Sequence, residues 1–533
     1  MTVTIGRREL LVALGGAAAA WPLAARAQGK SAARVLKYVP HADLTVIDPV
    51  VTTANITRYH ALMIWDQLYG IDSDLRPHPQ MVEGHTVEED GKHWTFRLRE
   101  GLRFHDGEPV RGRDCIASIR RWATRDSLGQ ALMAHVAEMS APEDRVFSIR
   151  LHRPFSLMLD ALAKGSTPPL CIMPERLALT DPYQPIKEIV GSGPFKWVAD
   201  ERIVGARVVY ERYAGYRPRE SGTTDCLAGP KIVKFDRVVW QVMPDPTTAL
   251  AALQTGEVDW WENPANDLLP VLEQARKVIT EVVYKHGWIG TGVFNCLHPP
   301  FDKAQVRRVV LQAMSQEDYM NAAAGTDRTL WRDKVGIYTP GTSMATDAGM
   351  EFLTRKRSLL DLRAALQDAG YQGERVVLMA PSDIPTLAAF GEVGNDLLRR
   401  LGMNVDYVVS DWGTLVQRRA SKKPPSQGGW SMFHTTWVGS DLVYPVLIQP
   451  LRANGDLAWF GWPDLPQLQK LIDSWTDAAD LAAQQRIAAE IQREALQQVP
   501  FLPLGQYFTK TAHRRDIDGV VKGVLVFWNV RRS

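Results

Sequence analysis

The chain has little net charge, few cysteines and no long apolar run, and each shortage closes off a class of function. Its 62 Lys and Arg against 60 Asp and Glu leave a formal charge of +2 over 533 residues, so no overall field points to nucleic acid as a partner. No C-x-x-C or H-E-x-x-H motif occurs, and the 12 histidines show no ligand spacing. A structural metal is therefore not expected, and nothing calls for a cofactor. The 4 cysteines are Cys115, Cys171, Cys226 and Cys296, and spacing does not choose among their possible pairings. Cys115 and Cys171 read as core residues. If a disulfide forms, Cys226 with Cys296 is favoured, because Cys226 sits in a polar stretch. After the N-terminal region no segment reaches the roughly 18 consecutive apolar residues expected of a membrane-spanning helix. Repeats and low-complexity tracts are absent as well.

What is present begins at the N-terminus. Arg7-Arg8 precede an apolar run over 10–20, and Ala25-Arg26-Ala27 offers a small-residue cleavage site. This is the pattern of a secretory signal removed after about Ala27. The paired arginines resemble a twin-arginine signal, with a general secretory signal as the alternative. No cysteine follows the cleavage site, so the mature protein is expected free in the periplasm rather than lipid-anchored.

The stretch 93–122 is the most informative. Trp94, Phe96 and Leu98 alternate with Thr95, Arg97 and Arg99, the period of a half-buried strand. Leu102 and Phe104 resume the alternation as if to close a hairpin. His105-Asp106-Gly107-Glu108 reads as a turn, and the following residues as a short helix with Ile116, Ile119 and Trp122 on one face and Asp114 in its first turn. The order W-T-F-x-L-R-x-G-x-x-F-H-D-G-x-P-V resembles the signature of the family 5 solute-binding proteins, the extracytoplasmic receptors of ABC importers for peptides and related solutes. The resemblance implies an α/β, two-lobed periplasmic-binding-protein fold (type II, cluster C), with an extra subdomain in the first lobe and a ligand cleft between the lobes. The expected limits are a signal at 1–27, lobe I at 28–70, the extra subdomain at 71–184, lobe I again at 185–289, lobe II at 290–507, and a return to lobe I at 508–533.

The rest of the chain agrees in kind. Strands are expected over 34–39, 145–151, 233–242, 375–379 and 403–409, and an amphipathic helix over 55–68. Gly191-Ser192-Gly193-Pro194 is a tight turn and not a phosphate loop or hydrolase elbow, since both fingerprints are incomplete. Asp245, with Pro246 at the first helical position and Gly256 at the end, brackets one helix. Asp302 is expected to cap another, and Ser315 to open a third with a capping box. Two helices fill 465–498. Final strands around 501–504 and 524–528 are expected to rejoin the first lobe.

The resemblance also implies where a solute would sit. The segment 431–445 resembles the strand and loop that hold a peptide ligand as an added strand. Trp437 and Trp412 match side-chain pocket tryptophans, and Ala42, Asp43 and Leu44 match the strand opposite. Val438, Gly439, Ser440 and Asp441 complete the expected ligand-binding set. Where peptide receptors place an aspartate three residues after the tryptophan, this chain has Ser440, with Asp441 one place later. Either the loop carries an insertion that restores the anchor for a ligand's amino group, or that anchor is lost. Near the arginine that dipeptide receptors offer to the ligand carboxylate stands Asp383.

The expectation is a non-enzymatic, monomeric receptor that captures a small peptide or peptide-like solute and delivers it to an inner-membrane ABC permease. An opine, an oligosaccharide, a nickel chelate or glutathione fits the same fold. A secreted hydrolase and a periplasmic chaperone are the readings from other classes. Replacing Arg7-Arg8 by Lys-Lys tests the signal: fractionation should show export blocked if the twin-arginine reading holds and unchanged if a general secretory signal operates.

Overall fold

The computed structural model describes residues 34–355, 357–478 and 480–533; the signal expected at 1–27 lies outside them. Three sheets organise the chain. The first has seven strands in the order Val278–Val282, Lys510–Arg514, Trp260–Trp261, Val35–Val39, Arg237–Gln241, Arg207–Arg212 and Phe195–Trp197. Val35–Val39 runs parallel to both its neighbours and points Leu36 and Tyr38 into the core. The second sheet has six, in the order Trp331–Arg332, Phe501–Tyr507, Trp288–Phe294, Met432–Val438, Arg375–Pro381 and Asn404–Ser410. A four-stranded antiparallel sheet, built from Val82–Glu88, His93–Leu98, Val146–Leu151 and Val136–Glu143, lies in the part of the chain between Val35–Val39 and Phe195–Trp197.

The chain passes between the two large sheets through residues 283–287 and again through 508–509. These crossings touch. Trp288 Nε1 donates to Thr509 Oγ1 (3.1 Å) and Gln506 Nε2 to the His286 carbonyl (2.8 Å). Gly287 has φ +57°, and a Cβ there would lie 2.6 Å from the Tyr507 carbonyl oxygen. Glycine meets both demands at once.

The 93–122 stretch folds as strand, turn and helix, with two changes. The partners of His93–Leu98 are Val82–Glu88 and Val146–Leu151, not Leu102 and Phe104. The helix Gly112–Arg125 runs on through four turns' length of chain with Cys115, Ile119 and Trp122 buried, while Ile116 is half-buried. Asp114 is used as the N3 acceptor for the Arg111 N–H (2.7 Å), which suits a carboxylate at a helix start.

The Gly191-Ser192-Gly193-Pro194 turn has a purely structural setting. Its backbone lies on the end of the helix Asn55–Ile64: a Cβ on Gly191 would come 1.8 Å from the Ile64 carbonyl oxygen, and one on Gly193 2.7 Å from that of Met63. Ser192 Oγ accepts from the Asp66 N–H. His105 of the signature clips the same turn, since Nδ1 accepts from the Gly191 N–H (3.2 Å) and Nε2 donates to the Gly193 carbonyl (3.0 Å). Burial pushes this imidazole down to about 4, and the neutral ring is the form that makes both bonds.

Other expectations change in detail. The helix expected over 55–68 stops at Ile64, and all but its first residue are buried, so it is a core helix and not an amphipathic one. The strand expected over 233–242 narrows to Arg237–Gln241. Asp245 and Gly256 cap as expected. Ser315 caps by accepting from the Asp318 N–H but without the reciprocal bond of a capping box, and Lys303, not Asp302, is the N-cap residue of Ala304–Ala313, without a side-chain bond. The strand at Phe501–Tyr507 belongs to the second sheet, not the first. Residues 524–528 are buried but form no strand; Phe527 meets Tyr38 edge-on at 4.9 Å. All four cysteines are free thiols, including Cys226 and Cys296. The loop around Cys226 is polar in sequence yet buried, because Leu227 and Ala228 pack beneath Gly70.

The close approach of Gly191 to Ile64 predicts that Gly191→Ala loses about 1–3 kcal/mol of stability, since the obstacle is backbone and cannot rotate away. Gly84→Ala, with no atom within 4 Å of the new Cβ, should stay within about 0.5 kcal/mol of the parent. Urea unfolding of the two variants checks the contrast; equal values would remove the turn from the packing argument.

Candidate ligand cleft

A cavity of about 780 Å³ opens between the two large sheets. His41, Thr53 and Asn55 line it from the first-sheet side, Trp412 and Thr435–Val438 from the second, and Trp288 and Tyr507–Lys510 where the chain crosses. It has the size of a small-molecule site.

The second-sheet wall is a strand with one free edge. Met432–Val438 pairs with Trp288–Phe294 along its whole length. On its other side it pairs with Arg375–Pro381 at two positions, Leu378 with Met432 and Met379 with Phe433. From His434 to Val438 that edge has no strand partner among the described residues, and Thr435, Thr436, Trp437 and Val438 line the cavity. Trp437 is fixed by Nε1 donating to Thr291 Oγ1 (3.2 Å) and by an edge-on contact with Trp459 at 5.1 Å.

Trp412 opens the helix Trp412–Arg418, which Asp411 caps by accepting from the Thr414 N–H. Asp383 accepts the Trp412 N–H at 2.8 Å. Thus the aspartate standing near the expected arginine is used to hold a tryptophan of the cavity wall. Among the residues lining this cavity there is no arginine.

The residue after the tryptophan strand that matters is Asp441. Gly439–Leu442 forms a single 3-10 turn, with Asp441 in the cavity wall and Ser440 outside it. Asp441 is 3% exposed and has no ion-pair partner among the described residues. The Ser440 hydroxyl donates weakly to Oδ1 at 3.4 Å. Burial raises its carboxyl above the ordinary range, and Arg58 and Lys164 pull it partly back. Lys164 is held elsewhere, while Arg58 keeps one buried donor, Nη1, without a partner. Arg58 is buried with Nε donating to the Gly165 carbonyl (2.7 Å), and Lys164 is bound to Asp126 (2.7 Å).

The other expected residues lie elsewhere. Ala42 and Leu44 are buried in the first lobe, and Asp43 Oδ2 accepts from the Gly205 N–H (2.9 Å). The Gly439 N–H donates to the Gly287 carbonyl, against the crossing. None of these lines the cavity. Two residues that do were not visible in the sequence. Both amide atoms of Asn55 are buried without a partner, and His41 Nδ1 is bound to the buried Glu262 at 2.8 Å. Nothing local marks either, because their settings are made by residues far away in the chain. Among the described residues no group of His, Cys, Asp and Glu could hold a metal ion.

Residues 76–457 match the model of the bacterial extracellular solute-binding proteins, family 5. A probable peptide ABC transporter periplasmic-binding protein of Sinorhizobium fredii is 35% identical over 536 residues, covering 100% of each chain. A glutathione-binding protein of Escherichia coli is 24% identical over 96% of each. Among solved structures, a Pseudoalteromonas dipeptide-binding protein in complex with Met-Leu superposes with a TM-score of 0.77 at 20% identity, covering 94% of this chain and 100% of that one.

Proposed function

The chain belongs to the family 5 bacterial extracellular solute-binding proteins, and on that premise we propose that it captures a peptide or peptide-like solute in the periplasm and passes it to an inner-membrane ABC permease. The observation that carries the proposal is the free edge of Met432–Val438 beside Asp441. An extended peptide can add to that edge through its own N–H and C=O groups, which gives affinity without reading side chains. At the end of the same strand Asp441 presents a desolvated carboxylate to an amino group, a charge-assisted contact that water does not dilute. Trp412 and Trp437 would enclose the side chains between them.

On this reading the ligand residues are Trp412, Trp437, Val438 and Asp441, joined by Asn55 and His41. Ala42, Asp43, Leu44, Gly439 and Ser440 shape the wall from behind. The lobes, with limits near 290 and 507, close about the paired crossings, and only contacts made in the closed form hold them together. The protein performs no chemistry and works as a monomer.

The buried Asp441 supplies a test. In the empty cleft burial keeps its proton on to a higher pH than an ordinary aspartate would, and a bound ammonium favours the ionised form. At pH values near or below that raised value, binding of an amine should therefore release a proton, and affinity should fall as the pH is lowered through it. Calorimetric titration with trialanine, in buffers of different ionisation heat, should detect this release. Asp441→Asn should abolish it and weaken binding by about 2–5 kcal/mol. Binding that is independent of pH and of this substitution would remove Asp441 from the site.

A further inference from the structure

On the far side of Thr53 and Trp412 lies a second cavity of about 480 Å³, and two buried arginines reach it without a carboxylate to meet them. Arg419 is 2% exposed. Its Nη2 donates to Thr53 Oγ1 (3.2 Å), its Nε has no partner, and its guanidinium lies over the rings of Phe460, Trp459 and Trp412 at 4.8, 5.4 and 5.7 Å. Arg452 is 8% exposed; its Nε is buried without a partner, and its side chain makes no hydrogen bond or ion pair among the described residues. The acids nearest in effect to Arg452 are Asp126 and Asp473. Asp126 is already occupied by Lys164, Gln449 and the N–H groups of Leu128 and Gly129, and Asp473 by Gln469. The single acid lining the cavity, Asp456, is bound by Lys422. Desolvation alone pulls the Arg419 guanidinium down to about 9.

Other buried cations of the described core are mostly met by an acid or by several carbonyls, Arg58, whose Nη1 has no partner, being an exception that lines neither of these two cavities. Arg121 has Asp48, Lys231 has Asp66, and Arg307 is bound by the carbonyls of Phe301, Asp302, Gln498 and Val499. A buried guanidinium with donors left over is costly, and an anion brought from outside removes that cost through the planar fork that suits a carboxylate. The route is short. Thr53 lines both cavities, and Trp412, which lines the main cleft, forms the ring beneath Arg419.

We propose that this second cavity is an anion subsite of the ligand cleft, in which Arg419 and Arg452 take an acidic group of the captured solute. The inference rests on the reading of the main cleft as the solute site. It makes the receptor selective for solutes with an amine at one end and an acid reaching past Thr53, although the main cleft itself has no arginine.

The test uses the full mature chain and four probes: Ala-Glu-Ala, Ala-Gln-Ala, and glutarate or inorganic sulfate alone, at constant ionic strength. The expected result is an affinity for Ala-Glu-Ala about 10-fold or more above that for Ala-Gln-Ala, with the ratio collapsing toward one in Arg452→Gln and in Arg419→Gln. Because Arg419→Gln removes a packed side chain and can fail to fold, Arg452→Gln, which touches no ring, carries the test by itself. Asp441→Asn should weaken both peptides by the same factor and leave their ratio intact. Should neither peptide bind, the peptide reading fails while the subsite is still decided by glutarate: stabilisation against heat that vanishes in Arg452→Gln supports it. Equal affinities for the two peptides, or no arginine-dependent effect of glutarate when no peptide binds, overturn it. If inorganic sulfate stabilises through the same arginines but the peptides are not distinguished, the site is one for free anions and the proposal fails.

Discussion

The double crossing between the sheets is the constraint on which the remainder depends. Two chain segments, 283–287 and 508–509, run against one another where Gly287 lies under the Tyr507 carbonyl and Trp288 is tied to Thr509. Both walls of the cleft are anchored there, because Trp288–Phe294 leads into the strand that backs Met432–Val438, and Lys510–Arg514 leads back into the first sheet. A side chain at 287 would hold these backbones apart and shift one wall relative to the other. The separation of the walls therefore depends on a contact at the base of the cavity itself, which Trp288, Tyr507 and Thr509 help to line.

The second organising feature is a division among the buried charges. Asp48 with Arg121, Asp66 with Lys231 and Asp126 with Lys164 are closed pairs at 2.8, 2.6 and 2.7 Å. The partners stand 73, 165 and 38 residues apart in the chain, so each pair ties distant segments together, and breaking one would leave a naked charge in low dielectric. Asp441, Arg419 and Arg452 are as deeply buried but have no opposite charge in contact. These three line the two cavities between the large sheets, while Arg58, whose Nη1 is also without a partner, lines a smaller one.

How much of this was legible follows from range. Strands, turns and caps that depend on neighbours in sequence were readable: Trp94-Phe96-Leu98, the Asp-Gly turn, the Asp245 and Ser315 caps, the Gly256 stop. So was the likeness of 93–122 to a known family, which brought with it the two-lobed fold and singled out Trp412, Trp437 and Asp441, all of which line the cavity. What failed was decided at a distance. The helix ending at Ile64 stops where Gly191 and Gly193 dock on its last turn, more than a hundred residues downstream. Cys226 looks exposed until Leu227 is seen beneath Gly70. The strand at Phe501 is drawn into the second sheet by Trp288–Phe294. Asn55, His41, Arg419 and Arg452 carry no local mark at all, since the meaning of each lies in which partner it lacks or finds.

Those missing partners also explain how a binding protein can close reversibly. If the chain itself satisfied every group in the cleft, the closed form would be stable when empty and the solute would gain nothing by entering. Leaving Asn55 without hydrogen bonds and Asp441 without a cation makes the empty closed state costly. The solute then supplies the difference between the two states, and its release restores the cost that reopens them. Deep burial makes these contacts strong once formed, and it also makes them expensive when unmet. The same property therefore serves capture and delivery.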